Sequence, residues 1–436
     1  MSDRATNGTR LLPIIVGNLF EWFDLTIYGF FATTIALQFF PPGNEQAAML
    51  AVVATFGAAI VIRPIGAVVF GLIGDSWGRR TSLTWTFMLM ALGTAMIGLA
   101  PTYASVGVLA TVILVLGRLL QGFSASGEAG TALTLLFEST PPERRGVAMG
   151  WLNVGVYTAI VFGSLAGFAV NKLLSPADAQ AWGWRLPFLF GLLIAPIGLY
   201  MRYRMDESQE FLDARERARI ASVAAPADNS RQMLRAIATV IGLMAFSAPV
   251  IYLLLIFMPG YAVRELKLEQ TVPMLSTLIS STLLVVLLVP MGWLGDRVGY
   301  KPLIVLASAL GTALVVPLMW YLTHAPSFAS LLLLQCTLCI CLALYVPSCG
   351  AMMASLFPVT RRALGFGLGY NLGAIVFGAF APFITAWLIQ VSGDKMMTAW
   401  YVLTGGLISV LVALTLREPV YEAGCVDPNR GARRRS

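Results

Sequence analysis

Long apolar runs, separated by short polar or charged segments, make up most of this chain. Twelve can be drawn: 13–38, 49–73, 82–101, 105–136, 147–172, 187–203, 236–260, 272–294, 302–322, 328–356, 363–390 and 398–416. Each approaches or exceeds the roughly 20 residues that a helix needs to cross a bilayer. The pattern therefore predicts an all-α membrane protein with twelve transmembrane helices. Six runs precede and six follow a charged middle, which divides the chain into a bundle at 1–201, a cytoplasmic linker at 202–235, a second bundle at 236–417 and a tail at 418–436. Within the linker, Asp213 and Arg217 are four apart, a spacing that supports a surface helix lying against lipid headgroups. The run Arg433-Arg434-Arg435 in the tail is another expected headgroup contact.

The polar punctuation repeats. Gly71-Leu-Ile-Gly-Asp75-Ser-Trp-Gly78-Arg79-Arg80 returns as Gly292-Trp-Leu-Gly-Asp296-Arg297-Val-Gly299-Tyr-Lys301, with the aspartates 221 positions apart. Likewise Arg144-Arg145 ahead of Gly150-Trp-Leu-Asn153 returns as Arg361-Arg362 ahead of Gly369-Tyr370-Asn371. A duplicated, mostly apolar chain with a shared loop belongs mainly to transporters.

Composition narrows the class. Charged residues are 12% of the chain, about half the share in a soluble domain, and the mean hydropathy is +0.78. The polar first ten residues and the lack of a small-residue cleavage site predict an uncleaved first helix. Of 29 Lys and Arg residues, 22 fall on the side that holds both termini and five on the other, so both termini are expected in the cytoplasm of a cell's inner membrane. The formal charge of +7 then reflects topology, and no nucleic-acid partner is expected. Cys336 and Cys339 have a metal or redox spacing, but the only histidine, His324, sits in a loop; packing is the expected role of these cysteines. No metal, no cofactor and no catalytic residues are expected, since no span supplies a nucleophile–base pair. The expected partners are lipid, protons and a small metabolite, with the protein a monomer.

Charges buried in a bilayer are costly and mark function. Here they are Glu21 and Asp24 in span 1, Arg63 in span 2, and Arg118 and Glu128 in span 4. Shifted by the repeat offset of 218, Arg118 and Glu128 land on Cys336 and Val346; the ion work is thus expected in the N-terminal half. With no histidine in any span, a proton carrier has to be a carboxylate, restrained by a nearby arginine. Asp24 leads, with Glu21 and Glu128 beside it. Arg118 and Arg63 suit an anionic substrate, because guanidinium grips carboxylate in a bidentate fork. Mutual neutralisation that fixes helix packing is the competing role for all five. Tyr28, Asn153, Tyr157, Tyr252, Tyr370 and Asn371 are expected to line the pocket, and with Trp151 they include enough aromatic surface for a quaternary ammonium.

The repeated loop reads as a gate. Gly71 permits close helix approach, Asp75 suits a helix N-terminus, and Arg79 and Arg80 are placed to reach Glu138. Gly78, Arg145 and the second copy, Gly292, Asp296, Arg297, Gly299 and Lys301, complete the gating set.

The repeated Gly-x-x-x-Asp-x-x-Gly-x-Arg/Lys loop resembles the hallmark of the major facilitator superfamily. Gly17-Asn18-Leu-Phe-Glu21-Trp22-Phe23-Asp24, Arg63-Pro64-Ile65-Gly66, Gly117-Arg118-Leu-Leu-Gln-Gly-Phe-Ser and Trp182-Gly-Trp-Arg185-Leu-Pro187-Phe188 together resemble its metabolite:proton symporters. That resemblance implies two pseudo-symmetric six-helix bundles, a midplane site between them and uptake driven by the proton gradient. A first-helix aspartate paired with a fourth-helix arginine is the proton switch of related sugar porters, which supports Asp24 with Arg118. Departures are Ala125-Ser126-Gly127-Glu128 after the fourth-helix motif, Ser76 for a basic residue and Tyr300 for an arginine. Arg118, where the proline/betaine branch usually has lysine, and the short tail favour a small organic acid anion. A proline- or betaine-like osmolyte is the alternative, and a proton-driven efflux antiporter a further one.

Overall fold

The computed structural model describes residues 3–41, 43, 51–52, 55, 57–204, 230–269 and 271–417. Among them all regular structure is helical. The principal helices of the first half are α1 (Asp3–Phe30), α2 (Arg63–Ser76), α3 (Arg79–Gly98), α4 (Val108–Glu138), α5 (Arg145–Leu173) and α6, which a turn divides into Arg185–Gly191 and Ile194–Arg204. In the second half, α7 joins Ser230–Pro249 to a π-helical Val250–Phe257 and to Met258–Arg264. It is followed by α8 (Thr271–Val298), α9 (Tyr300–His324), α10 (Phe328–Ser355), α11 and α12 (Met397–Thr415). Helix α11 comprises Arg362–Ala374, a π-helical Ile375–Ala379 and Ala381–Ser392.

Ten of these stretches are long and apolar enough to cross a membrane. The two expected spans outside that count are α1 and the divided α6. Helix α6 continues to Arg204 and α7 starts at Ser230, both within the expected linker of 202–235; the remainder of that linker, including Asp213 and Arg217, and the tail from 418 lie outside the described residues.

The halves meet along two helix pairs, α2 with α11 and α5 with α8, with α4 also touching α11 and α10 touching α5. Small residues permit this: Gly146 of α5 lies against Gly292 of α8, where a side chain on either would strike the other's backbone carbonyl. Without a hydrophobic force between helices in lipid, such backbone contact is a main source of helix affinity.

Proline sets the breaks that matter. Pro64 lacks the N–H that would continue the helix from 57–61, so the chain turns at Ile62 and restarts at Arg63. Pro249 sits where α7 changes to its π-helical stretch, which carries Tyr252. Both repeated loops turn on a glycine of positive φ, Gly78 at 108° and Gly299 at 100°, each with ψ near 150°. That region is essentially closed to other residues, at about 1–3 kcal/mol of strain. Gly78→Ala and Gly299→Ala should therefore each lower the melting temperature of the purified protein by a few degrees; unchanged melting would show that the turns relax without cost.

Candidate functional site

Glu21 and Asp24 lie three residues apart on one face of α1. Arg63, the first residue of α2 after the turn at Ile62, is buried at 8% exposure. From α4, Arg118 and Gln121 approach the same space, so four helices enclose a narrow cleft of about 20 Å³, room for about one water. Glu21, Asp24, Arg63, Met90, Arg118 and Gln121 line it. Every charged residue of this lining belongs to the first half.

Within the cleft the polar groups form one chain. Asp24 is 1% exposed, and its Oδ2 accepts from Thr94 Oγ1 at 2.9 Å and from Gln121 Nε2. Gln121 Oε1 accepts from Arg118 Nη1 at 2.9 Å. The Arg118 guanidinium lies over the Tyr28 ring, 3.7 Å from its centre, and the Tyr28 hydroxyl meets Thr55 Oγ1 at 2.5 Å. Acid and base on different helices are thus joined through an amide.

From the second half, Tyr252 of α7 and Tyr370 of α11 come close enough to Glu21 and Arg63 to feel their charges. Tyr370 stacks on Phe366 with ring centres 5.7 Å apart, and Tyr157, fully buried, sits near Tyr370. Asn371 spends its amide hydrogens on Gly367 O at 2.8 Å and on Ser126 O of α4 at 3.2 Å, a tie between the halves. Asn153 donates to Met149 O in its own helix. Trp151 is 45% exposed and stands outside the cleft. The side chain of Glu128 lies outside the described residues.

At the repeated loops the halves cross over. Asp75 ends α2, and its carboxylate accepts from the backbone N–H groups of Ala363 (3.3 Å) and Leu364 (3.1 Å), in the first turn of α11. Asp296 does the same in the other direction, accepting from Gly146 (2.6 Å) and Val147 (3.0 Å) in the first turn of α5. Each carboxylate satisfies orphan N–H groups and meets the positive end of a helix dipole in the opposite half. Gly71 lets α2 approach Leu364.

The two crossings differ in charge. On one, Arg79 pairs with Asp75, reaches Glu138 at 3.1 Å and donates to Val359 O at 2.6 Å. Arg362 of the second half reaches the same Glu138 oxygen at 3.0 Å. On the other, Tyr300 takes the arginine's place, its hydroxyl donating to Asp296 at 2.7 Å. Three further residues expected at the gate make these contacts. Arg297 is exposed and lies over Trp293 at 4.0 Å. Lys301 caps the end of α12 through Leu414 O and Leu416 O. Arg145 covers Phe137 and donates to the Phe137 and Thr140 carbonyls within its own half. Arg80 is half-buried at the start of α3.

Residues 11–225 match the family model for sugar (and other) transporters, and residues 240–434 match that for the major facilitator superfamily. The citrate-proton symporter of Klebsiella pneumoniae is 34% identical over 417 residues, covering 94% of this chain and 93% of that protein. The chain belongs to the major facilitator superfamily. Within it the group is that of the metabolite:proton symporters, which also holds the proline/betaine transporter of Salmonella typhimurium, 30% identical over 416 residues and covering 92% of this chain and 82% of that one. The solved proton:xylose symporter bound to 6-bromo-6-deoxy-D-glucose superposes with a TM-score of 0.81 over 95% of this chain and 97% of that one. At 15% identity this likeness carries the fold. The protein is a multi-pass membrane transporter and not an enzyme.

Several residues of this superfamily member carry no mark of their role in the sequence. Thr94 and Gln121 carry no charge, so nothing in composition or hydropathy marks them as partners of Asp24. Arg362 was visible only as a repeat marker. Its basic character just ahead of an apolar run was the one available signal that it faces the loop side.

Proposed function

We propose that this protein imports a small organic acid anion, a di- or tricarboxylate or similar, together with protons across the cytoplasmic membrane, with both termini in the cytoplasm. The observation that carries this reading is the cleft in which Asp24, the proton site, is joined through Gln121 to Arg118, with Arg63 beside them. A proton from outside neutralises Asp24, an anion is drawn to the two guanidinium groups, and rocking of the halves opens the loop face. Glu21 and Glu128 are secondary proton candidates, and Tyr252 and Tyr370 close the cleft from the second half. The crossed carboxylates Asp75 and Asp296, with Arg79 and Glu138, hold the cytoplasmic face shut between cycles.

Relatives named as citrate-proton symporters support an acid substrate. So does the position of Arg118, which already covers the Tyr28 ring and withholds that face from a quaternary ammonium. The proline/betaine reading keeps support from Tyr252 and Tyr370, aromatic residues near Glu21 and Arg63, and from relatives named as proline/betaine transporters.

The deciding test is proton influx into proteoliposomes holding a pH dye, challenged with citrate, 2-oxoglutarate, succinate, shikimate and betaine in turn. Acidification with one acid alone is expected; acidification with betaine alone would overturn the acid reading. Arg118→Lys keeps the charge but loses the fork and the ring contact. Its KM for the transported acid should rise about tenfold or more, the equivalent of ~1.4 kcal/mol, and an unchanged KM would remove Arg118 from the binding set.

A further inference from the structure

Gln121 is 3% exposed, and burying an amide in a membrane protein is costly unless its polar atoms are used. Here both ends are used. Its Nε2 donates to Asp24 Oδ2 and to Thr94 Oγ1 at 3.1 Å, while its Oε1 accepts from Arg118. It therefore bridges the acid assigned to the proton and the base assigned to the anion. We infer that Gln121 is the positioning residue through which protonation of Asp24 releases Arg118 to take the anion, an inference that rests on the proton-symport reading above.

The physical chain has three links. While Asp24 is ionised, its charge strengthens the bond from Gln121 Nε2 and polarises the amide, which makes Oε1 a better acceptor for Arg118. The guanidinium is then held in place over Tyr28. A proton arriving from the outer side forms an O–H bond at Asp24 Oδ1, a buried oxygen with no hydrogen-bond partner among the described residues. Oδ2 becomes a neutral acceptor, and hydrogen bonds to neutral acceptors are roughly half as strong as charge-assisted ones. The amide loosens its hold on Arg118.

Charge balance works in the same direction. Arg118 from α4 acts on Asp24 directly; Arg63 from α2 and Glu21 on its own helix line the same cleft, and Tyr28 lies under the Arg118 guanidinium. Thr94 of α3 and Gly191 of α6 lie against the carboxyl and bring no charge. Two acids face two bases, so one added proton leaves the described lining net positive and favours an anion. By linkage, proton and anion raise each other's affinity.

The test uses the full chain in proteoliposomes and follows the infrared carbonyl band of protonated Asp24 across pH, with Asp24→Asn to identify the band. Gln121→Leu removes a donor to the ionised form, which disfavours the carboxylate. Its titration midpoint should move to higher pH by about one unit, a tenfold change in proton affinity. Gln121→Glu replaces the donor by a like charge and should move the midpoint further the same way, so the test survives if one variant fails to fold. The effect of Arg118→Lys on the midpoint should also shrink by at least half in the Gln121→Leu background. Unmoved midpoints in both Gln121 variants, or Arg118 and Gln121 effects that add within about 0.3 pH unit, would overturn the inference while leaving Asp24 as proton site. A titrating band that persists in Asp24→Asn would overturn the assignment of Asp24, and this inference with it.

Discussion

Asp24→Asn is expected to abolish proton-driven accumulation and to spare substrate exchange. The substitution keeps size and shape, so Thr94 and the amide of Gln121 retain a partner, but the side chain no longer titrates. Arg118 then faces a permanently neutral neighbour, the condition that the protonated wild type reaches only transiently. The carrier should load anion without a proton and run it downhill in either direction. In proteoliposomes with an imposed pH gradient, the accumulation ratio should fall to about one, while counterflow of labelled substrate persists. Wild-type accumulation should weaken as external pH rises, because fewer carriers hold the proton, and the variant should lose that dependence. Retained accumulation would mean that Glu21 or Glu128 carries the proton instead.

The second large effect is expected at Glu138→Gln. The Glu138 and Arg79 side chains are fully buried, and Arg362 is 7% exposed. One carboxylate thus compensates two guanidinium groups from opposite halves, with Asp75 sharing the load on Arg79. Breaking a buried ion pair from one side costs about 3–5 kcal/mol, because the remaining charge is stranded. The cost falls mainly on the closed loop face, since Arg362 meets Glu138 only when the halves are together. A change of ~3 kcal/mol shifts a two-state equilibrium about a hundredfold, away from this closed arrangement. Spin labels at Ser76→Cys and Arg361→Cys, both exposed, on a cysteine-free background should report longer distances in the variant. Unchanged distances would show that the crossed carboxylates hold the face without the arginine cluster. The matching change at the other crossing, Tyr300→Phe, removes an uncharged donor and strands no buried cation, so it should have a much smaller effect.

Both expectations rest on features that were unequally legible. The helical class and the repeat follow from local patterns. A run of about 20 apolar residues has few alternatives in a bilayer, where every backbone polar group needs an internal partner. The buried charges were equally plain, because Glu21, Asp24, Arg63 and Arg118 interrupt runs that otherwise exclude charge. Helical spacing also placed Glu21 with Asp24 on one face.

What spacing could not supply was direction across the bundle. Arg79, Arg297 and Lys301 all belong to the repeated loop, yet Arg79 turns to Glu138, Arg297 lies on Trp293 and Lys301 caps α12. They stand at three different positions of that loop, and which neighbour each one meets depends on what the other helices present there. Asp75 and Asp296 were readable as helix-terminal carboxylates, but the helices that they cap begin 287 and 151 residues away in opposite directions. Asn371 was readable as a polar group in a span, and only packing against α4 determined that Ser126 O takes its hydrogen bond.

The sequence alone therefore determined a duplicated, all-helical membrane transporter with the charges inside its apolar runs in the first half, because hydropathy, repeat and charge are properties of the chain. Tertiary structure decided which groups meet. It seated Gln121 between Asp24 and Arg118, gave Glu138 its second arginine and crossed each aspartate to the other half, because these contacts depend on helix rotation and on where two bundles touch.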